Sequence, residues 1–222
     1  MEKLWNLGLR VGDFVSIDTT PEMDTNGFIH SGFLDDKAGV AAILAAAKAL
    51  LDNAITPTLD CYLLFTISEE VGVGASHVLR GDVAEMVTID NGTIAPNQNT
   101  CEFGATIAMK DSSGPFDFHL SKHLINLCAE HELEFSRDVF LHYRSDAAAA
   151  LQAGNDIRTA LVCFTLDASH GYERTHIDSL GTVSALIGAY ISSPPLFGKE
   201  KNAIGPEKKY PLISRSSEKK PQ

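Results

Sequence analysis

The chain has 222 residues, a hydrophobic fraction of 44% and a net charge of −11, which fits one α/β domain with a sizeable core. No apolar run approaches the ~18 residues that span a bilayer, and the N-terminus lacks the basic and apolar parts of a signal peptide. We therefore expect a soluble, cytoplasmic protein without a membrane partner. Excess carboxylates repel phosphate backbones, which argues against nucleic acid as a partner.

The charge is unevenly distributed along the chain. From Gly198 onward there are seven Lys/Arg and three Asp/Glu, so the negative charge is concentrated in the preceding residues. Residues 198–222 combine Pro, Ser and Lys with few apolar residues and are predicted to form a disordered basic tail. The four cysteines include no Cys-x-x-Cys pair, which favours buried free thiols over a disulfide framework or a thiolate zinc site.

Residues 1–33 have the pattern of a β-rich segment. Residues 9–17 and 27–29 alternate like two short strands around a turn that contains Pro, Asp and Asn. Two strands alone are marginal in water. We therefore expect that partner strands lie upstream, and we interpret residues 1–33 as the remnant of a larger β module.

Residues 34–197 alternate apolar or β-branched runs with helical segments, which is typical of an α/β domain. The Ala-rich segment 38–51 is predicted to be a helix that is buried on a sheet. Further helices are predicted at 120–131, 147–153 and 179–191. Strands are predicted at 59–67, 86–89, 105–109 and 159–164.

Three acidic groups lie beside these elements. Asp35 and Asp36 precede the Ala-rich helix, Glu69 and Glu70 follow the 59–67 strand, and Asp90 ends the next strand. Functional sites of α/β folds lie at strand ends. Carboxylates that converge there repel one another unless cations lie between them. A two-metal site with a bridging carboxylate is therefore the simplest interpretation.

Each acidic group also has an ordinary structural explanation when it is considered alone. The Asp35-Asp36 pair could supply a helix N-cap. Glu69 and Glu70 could lie on a solvated helix start, and Asp90 could belong to a turn with Asn91 and Gly92. The order and spacing of the three groups together favour a metal site over these explanations.

Four motifs carry a resemblance to a known family. They are Leu-Asp-Asp-Lys-Ala-Gly at 34–39, Glu-Glu-Val-Gly at 69–72 followed by Gly74-Ala75, Ile-Asp at 89–90, and Arg-Ser-Asp-Ala at 144–147. Over residues 8–192 the chain resembles the glutamyl or deblocking aminopeptidases of metallopeptidase family forty-two, which are co-catalytic di-metal peptidases. The resemblance implies a three-layer, zinc-peptidase-like fold, with helices on both faces of a sheet and an inserted β module. The segment 172–176 further resembles a branch that is linked to synthesis of a small peptide osmolyte.

The resemblance also implies roles for individual residues. Asp35 would bridge two metal ions, and Glu70 and Asp90 would each bind one of them. Glu69 would be the general base that takes a proton from the metal-activated water. Asp36 and Lys37 would be flanking residues.

A late histidine should complete the ligand set, and His170 and His176 compete for this role. The family places a Glu shortly after the ligand and a helix start further on. Glu173 and Asp178 fit that pattern for His170 if one residue is deleted between His170 and Glu173. We therefore expect His170 to be the ligand and keep His176 as the alternative.

The His-x-Asp that the family places upstream of the first Asp is absent before Asp35. One metal would then keep three protein ligands, Asp35, Glu70 and His170, as catalytic zinc sites usually have. The other would keep only Asp35 and Asp90 and be weakly occupied. We thus expect one divalent ion, Zn²⁺ or Co²⁺, where the family holds two. An exposed sheet edge is also expected where strands are missing.

The sequence therefore predicts a metal-dependent aminopeptidase that hydrolyses N-terminal peptide bonds of short peptides and forms a homo-oligomer, with activity impaired by the missing ligands. Two alternatives stay open. One is a catalytically degenerate fragment that acts as a binding or assembly partner. The other is a different di-zinc amide hydrolase, such as a deacylase or carboxypeptidase.

Overall fold

The computed structural model describes residues 2–196, so the predicted tail at 198–222 lies outside the described residues. In chain order the helices are α1 (Glu2–Asn6), α2 (Leu34–Asp52), α3 (Phe118–Glu130), α4 (Asp146–Gln152) and α5 (Ile177–Ser192). The strands are β1 (Glu22–Met23), β2 (Phe28–Ser31), β3 (Glu85–Thr93), β4 (Ala105–Asp111), β5 (Gly114–Pro115), β6 (Phe135–Val139), β7 (Arg158–Leu166) and β8 (Glu173–His176).

The main sheet has five strands in the order β3-β7-β4-β5, with β6 pairing with β4. Strand β7 runs parallel to β3 and antiparallel to β4. Among the described residues β3 pairs only with β7, so its other side is a free edge. This edge position is expected for a sheet that lacks neighbouring strands.

Strand β7 shows why the domain has three layers. Its residues Ala160, Val162 and Phe164 pack into one core cluster with residues of α2, α3 and α5. The alternate residues Leu161 and Cys163 belong to a second cluster that includes Ala147 of α4. Because successive strand residues point to opposite faces, helices cover both faces of the sheet, as the sequence predicts.

Helix α2 packs closely because its buried face is made of small side chains. Ala38, Ala42 and Ala46 are buried at four-residue spacing, which places them on one face of the helix. That face contacts α5 and β3. The first turn is irregular, since the backbone angles of Asp35 and Asp36 are not helical, and the regular helix begins after them.

A second, three-stranded sheet has the order β1-β2-β8. Strand β2 confirms the strand predicted near 27–29. The strand predicted at 9–17 is wrong. These residues pair with no other strand among the described residues, and Val11 and Phe14 are fully exposed. Strand β2 pairs with β8, so residues 1–33 are joined to the rest of the chain by a ladder. The division into a module remnant and a peptidase domain at residue 34 stays a prediction.

The predicted strand at 59–67 is also wrong. These residues carry a strand-like apolar pattern, yet no strand forms there and Ile67 is 99% exposed. A strand needs a neighbouring backbone to share hydrogen bonds, and the described residues provide none for this segment. The apolar pattern therefore indicates that the segment has a high propensity for strand structure, but it does not indicate whether a neighbouring strand is present to pair with it.

The other predicted helices and strands are confirmed within a few residues at each end. The short elements α1, β1, β5, β6 and β8 were not predicted. Cys128 and Cys163 are buried thiols, whereas Cys61 is exposed and Cys101 is partly exposed, so the expectation of four buried thiols is only half right. Within residues 2–196, no helix is both long and apolar enough to cross a bilayer.

Candidate metal centre

Four backbone segments meet around Asp90 of β3. The irregular start of α2 supplies Asp35 and Asp36, and a single 3₁₀ turn, Glu69–Val71, supplies Glu69 and Glu70. Asp90 lies within β3. A loop between β7 and β8 carries His170, whose φ of 63° is left-handed. The acidic groups are thus close together, but not at strand ends as expected, because β3 continues past Asp90 to Thr93 and no strand precedes Glu69.

The first ligand cluster consists of Asp35, Glu70 and His170, whose ligand atoms lie within 4.8 Å of one another. His170 Nε2 is 3.3 Å from Asp35 Oδ2 and 3.2 Å from Glu70 Oε2. Asp35 Oδ2 also accepts hydrogen bonds from Asn91 Nδ2 at 2.8 Å and from Ser169 Oγ at 3.2 Å. Glu70 and His170 are exposed, so this cluster is open to solvent.

The second cluster consists of Asp35, Asp36 and Asp90, again with ligand atoms within 4.8 Å. Burial, together with the charges of Asp90 and Asp35, raises the pKa of Asp36 to about 9. Burial and the nearby Asp35 also raise the pKa of Asp90 well above its usual value. Asp36 Oδ1 is buried without a hydrogen-bond partner among the described residues. These carboxylates are unfavourable as charged groups unless a cation neutralises them.

Gly39 makes the position of Asp36 possible. A Cβ atom at residue 39 would overlap the carboxylate of Asp36. The glycine in the Leu-Asp-Asp-Lys-Ala-Gly motif is therefore needed for space, and its absent side chain lets the carboxylate lie against the first turn of α2.

Glu173 holds two distant segments of the site together. Its side chain is 1% exposed. Glu173 Oε2 accepts a hydrogen bond from Asp35 N at 3.1 Å, and Oε1 accepts one from His170 N at 2.9 Å. One carboxylate thus fixes the backbone of two candidate ligands, much as outer groups orient ligands in metal sites.

Glu69 lies beside the clusters and has a perturbed pKa. Burial, then the charges of Asp146 and Glu70, raise the pKa of Glu69 to about 7. Asp146 is itself fixed, because it accepts hydrogen bonds from Thr66 Oγ1 at 2.6 Å and from Ala75 N at 3.0 Å. A carboxylate with a pKa near neutrality is well suited to accept and return a proton.

His176 lies outside both clusters. Its ring is buried between Phe28 and Phe103, each with a centroid distance of 4.8 Å. Both ring nitrogens are occupied: Nε2 is 2.8 Å from Asn26 O, and Nδ1 accepts from Asp178 N at 3.1 Å as the N-cap of α5. Of the two competing histidines, only His170 is brought to the acidic groups.

The donor chemistry of the two clusters fits divalent cations. Two carboxylates and an imidazole are a usual set for a catalytic zinc ion. Three carboxylates suit a harder cation or a site completed by water. Both clusters share Asp35.

Sequence reasoning missed three contributors. The resemblance implies only a flanking role for Asp36, although its place beside Asp35 is an available signal. The sequence places Glu173 shortly after the histidine but gives no signal that its carboxylate accepts hydrogen bonds from two backbone amides. Asp146 was part of a recognised motif, but its effect on Glu69 depends on a contact between distant segments.

The chain was compared with known families and structures. The M42 glutamyl aminopeptidase family model matches residues 1–186. The protein YhfE of Bacillus subtilis (strain 168), which is named as an aminopeptidase, is 38% identical over 188 residues, covering 85% of this chain and 54% of its own length. The chain thus spans about half the length of this relative.

Solved structures of similar fold include aminopeptidase APDkam598 from the archaeon Desulfurococcus kamchatkensis. It has a TM-score of 0.73 and 22% identity, covering 86% of this chain and 56% of its own. The TET1 peptidase of Pyrococcus horikoshii, which assembles into a tetrahedron or a large octahedral shell, has a TM-score of 0.68 and 22% identity, with 86% and 57% covered. These likenesses show the fold, and the family match shows that the chain belongs to the M42 glutamyl aminopeptidase family.

Proposed function

We propose that the chain carries the metal-binding part of an aminopeptidase that hydrolyses the N-terminal peptide bond of short peptides. The observation that supports this most directly is the meeting of Asp35, Glu70 and His170 within 4.8 Å, beside a glutamate whose pKa is raised to about 7. Family membership supports the substrate class. We further propose that the enzyme is cytoplasmic, uses Zn²⁺ or Co²⁺ and forms a homo-oligomer.

In this proposal the position of each residue determines its role. Asp35, Glu70 and His170 would hold one ion, and Asp35, Asp36 and Asp90 a second, more weakly held one. A bound divalent cation lowers the pKa of water to about 7 and polarises a carbonyl group. Glu69 would accept the proton from the attacking water and return it to the leaving amine. Glu173 would hold the two segments that carry Asp35 and His170 in fixed positions relative to each other.

The experiment that tests this proposal is a comparison of peptide substrates with free and acetylated N-termini. The chain is loaded with Zn²⁺ or Co²⁺, and release of the first amino acid is measured by chromatography. An aminopeptidase cleaves only the free peptides. Cleavage of acetylated substrates would assign the chain to the deacylase class, and cleavage from the other end would assign it to the carboxypeptidases.

A second candidate function is that of a catalytically degenerate binding or assembly partner. The support for it is that one of the two clusters contains only carboxylates. This candidate predicts metal binding without hydrolysis of any of the peptides above. The same assay therefore separates the two proposals.

A further inference from the structure

One buried carboxylate contacts both ends of the loop that carries the proposed base and one proposed ligand. We call this loop, residues 66–75, the glutamate loop. Asp146, the first residue of α4, is 7% exposed. Its Oδ2 accepts a hydrogen bond from Thr66 Oγ1 at 2.6 Å, and its Oδ1 accepts one from Ala75 N at 3.0 Å. Because Thr66 and Ala75 are the first and last residues of the loop, a single side chain binds both of its ends.

Few other polar contacts connect the glutamate loop to the rest of the chain. Among the described residues, the hydrogen bonds that join residues 59–76 to other parts of the chain are the two that end on Asp146. The remaining polar contact is the 3.2 Å approach of His170 Nε2 to Glu70 Oε2, which lies within the metal centre itself. The position of the loop therefore depends strongly on Asp146.

Two glycines allow the glutamate loop and the start of α4 to lie in close contact. A Cβ atom at Gly74 would overlap Asp146 Oδ1, and a Cβ atom at Gly72 would overlap Arg144 Nη2. The φ angles are 28° at Gly74 and 74° at Gly72, and glycine adopts positive φ angles without steric cost. The Glu-Glu-Val-Gly and Arg-Ser-Asp-Ala motifs are thus two sides of one contact.

The location of Asp146 in a helix does not explain its contacts. An acidic residue in the first turn of a helix commonly interacts with the free amides of that turn. Both oxygens of Asp146 instead accept hydrogen bonds from the glutamate loop. The charge of Asp146 is unfavourable for a charged Glu69 nearby, since like charges repel. Its favourable contribution to the site is therefore the pair of hydrogen bonds.

We infer that Asp146 is a positioning residue, which fixes Glu69 and Glu70 in the candidate site by binding both ends of the glutamate loop. It acts through Thr66 and Ala75 and not by touching the substrate. The inference deepens the proposed function and rests on it for the roles of Glu69 as base and Glu70 as ligand. Small displacements of either group should matter, because catalytic groups work only when they are held in the productive geometry.

An action of Asp146 through its charge alone is the alternative, and two substitutions separate it from positioning. Asp146→Asn removes the charge but can keep both contacts. The amide oxygen can accept from Ala75 N, and the amide nitrogen can donate to Thr66 Oγ1. Asp146→Ala removes the charge and the contacts together.

The kinetic test uses the full chain with saturating Zn²⁺ or Co²⁺ and a short peptide with a free N-terminus. Asp146→Ala should lower kcat at least about tenfold, as expected for loss of a group that orients active residues, and should change KM much less. Asp146→Asn should recover most of this loss. An equal loss in both variants would show that the charge is decisive and would overturn the inference. A parental kcat in Asp146→Ala, or a change confined to KM, would overturn it as well.

The metal-free chain provides a measurement that does not depend on peptidase activity. Amide hydrogen exchange of Ala75 and of residues 68–74 should be faster in Asp146→Ala than in the parent, and Asp146→Asn should largely restore the parental rate. Unchanged exchange in Asp146→Ala would contradict the positioning role. Faster exchange in a parent chain that cleaves no peptide would support the positioning role of Asp146 and contradict the proposed function.

Asp117→Ala is the matched control for a general loss of stability. Asp117 is the N-cap of α3 and accepts a hydrogen bond from Leu120 N at 2.8 Å, so this variant also loses a bond between a carboxylate and a backbone amide. It belongs to neither ligand cluster. Asp117→Ala should lower stability in urea without faster exchange in the glutamate loop. Equal acceleration of loop exchange by both alanine variants would count against a specific role of Asp146.

Substitutions of Thr66 test the same contact if Asp146→Ala does not fold. Valine has nearly the shape of threonine but lacks the hydroxyl group, whereas serine keeps it. Thr66→Val should lower kcat about fivefold, the size expected for loss of one hydrogen bond, and Thr66→Ser should recover most of this loss. If Thr66→Val has the same kcat and the same loop exchange as Thr66→Ser, the inference is wrong.

Discussion

The two candidate ligand clusters share Asp35 but differ in almost every other respect. The cluster with Glu70 and His170 is open to solvent and combines carboxylates with an imidazole. The cluster with Asp36 and Asp90 contains only carboxylates, and burial raises the pKa of both residues. Two clusters of similar dimensions can thus differ in metal affinity, because the charge and solvation of the ligand groups affect binding as well as the distances between them.

The two clusters also differ in how the surrounding residues hold their ligand groups in place. Asp35 and His170 are fixed through their backbone amides by Glu173. Asp36 Oδ1 is buried, and none of the described residues donates a hydrogen bond to it. One cluster therefore has two members fixed by a buried carboxylate, whereas the other contains a buried oxygen without such a contact. The following predictions test this difference between the two clusters, in order of decreasing effect on function.

The largest effect is expected from Glu69→Gln. The variant should keep its metal content and lose hydrolysis by about 10²–10⁴-fold, since a general base supplies a contribution of that size. Glu70→Gln, one residue away, should lose metal as well as activity. Metal analysis and initial rates on the two purified variants make the comparison, and equal loss of metal in both would contradict the division of roles.

The second prediction concerns the number of bound ions. After dialysis against metal-free buffer, the chain should retain about one Zn²⁺ or Co²⁺, because one cluster alone has three protein ligands of catalytic-site type. Emission spectrometry of the dialysed protein measures this ratio. Two retained ions would show that the all-carboxylate cluster also binds metal tightly. Retention of no ion would contradict the assignment of both clusters as metal sites.

The third prediction compares the two histidines. His170→Ala should lower metal affinity at least about tenfold, as expected for loss of a group that binds or orients the ion. His176→Ala should change affinity clearly less, but it should lower stability because the ring packs between Phe28 and Phe103. Competition with a fluorescent chelator measures affinity, and urea unfolding measures stability. The reverse order of affinities would transfer the ligand role to His176.

The smallest effect on function is expected in the pH dependence of the metal-free chain, which concerns stability alone. The pKa of Asp36 is about 9 in the folded chain and 3.8 in the reference state. Between these values the folded state holds a proton that the unfolded state releases, so stability should fall as pH rises from about 4 to about 9. Urea unfolding in EDTA between pH 5 and pH 8 tests this trend.

Asp36→Asn should reduce that pH slope, since the amide has no proton to release in this range. Asp18→Asn, at an exposed carboxylate away from the clusters, provides the control and should leave the slope unchanged. Added Zn²⁺ should also flatten the slope in the parent chain, because a cation replaces the proton in neutralising the buried carboxylates. An identical slope in Asp36→Asn and the parent would contradict the assignment of this effect to Asp36.

Much of the fold could be predicted from sequence because most elements carry local signals. The Ala-rich pattern predicts α2, and the apolar run of β7 predicts a buried strand. The segment 59–67 has the same local signal, yet it forms no strand, since pairing depends on a neighbour that the sequence does not specify. The short strand β8 was not predicted because its four residues, Glu173–His176, are polar and are buried only through tertiary contacts.

The acidic members of the candidate site could be found from the order and spacing of their motifs in the sequence. The meeting of Asp35, Glu70 and His170 was an expectation from the family resemblance, and the structure brings those three side chains together. The involvement of Asp36 and Glu173 could not be obtained in this way. The environment of Asp36 arises from burial, and that of Glu173 from a contact across 138 residues of chain, neither of which periodicity encodes.

The position of Glu173 also bears on how the site opens locally. Asp35 and His170 are far apart in sequence, and the carboxylate that joins them lies at the start of the four-residue strand β8. Bringing residues so distant in sequence together costs chain entropy that local contacts do not. Local opening of a short strand is easier than global unfolding. We therefore expect that detachment of β8 would separate His170 from Asp35 without unfolding the core of the main sheet.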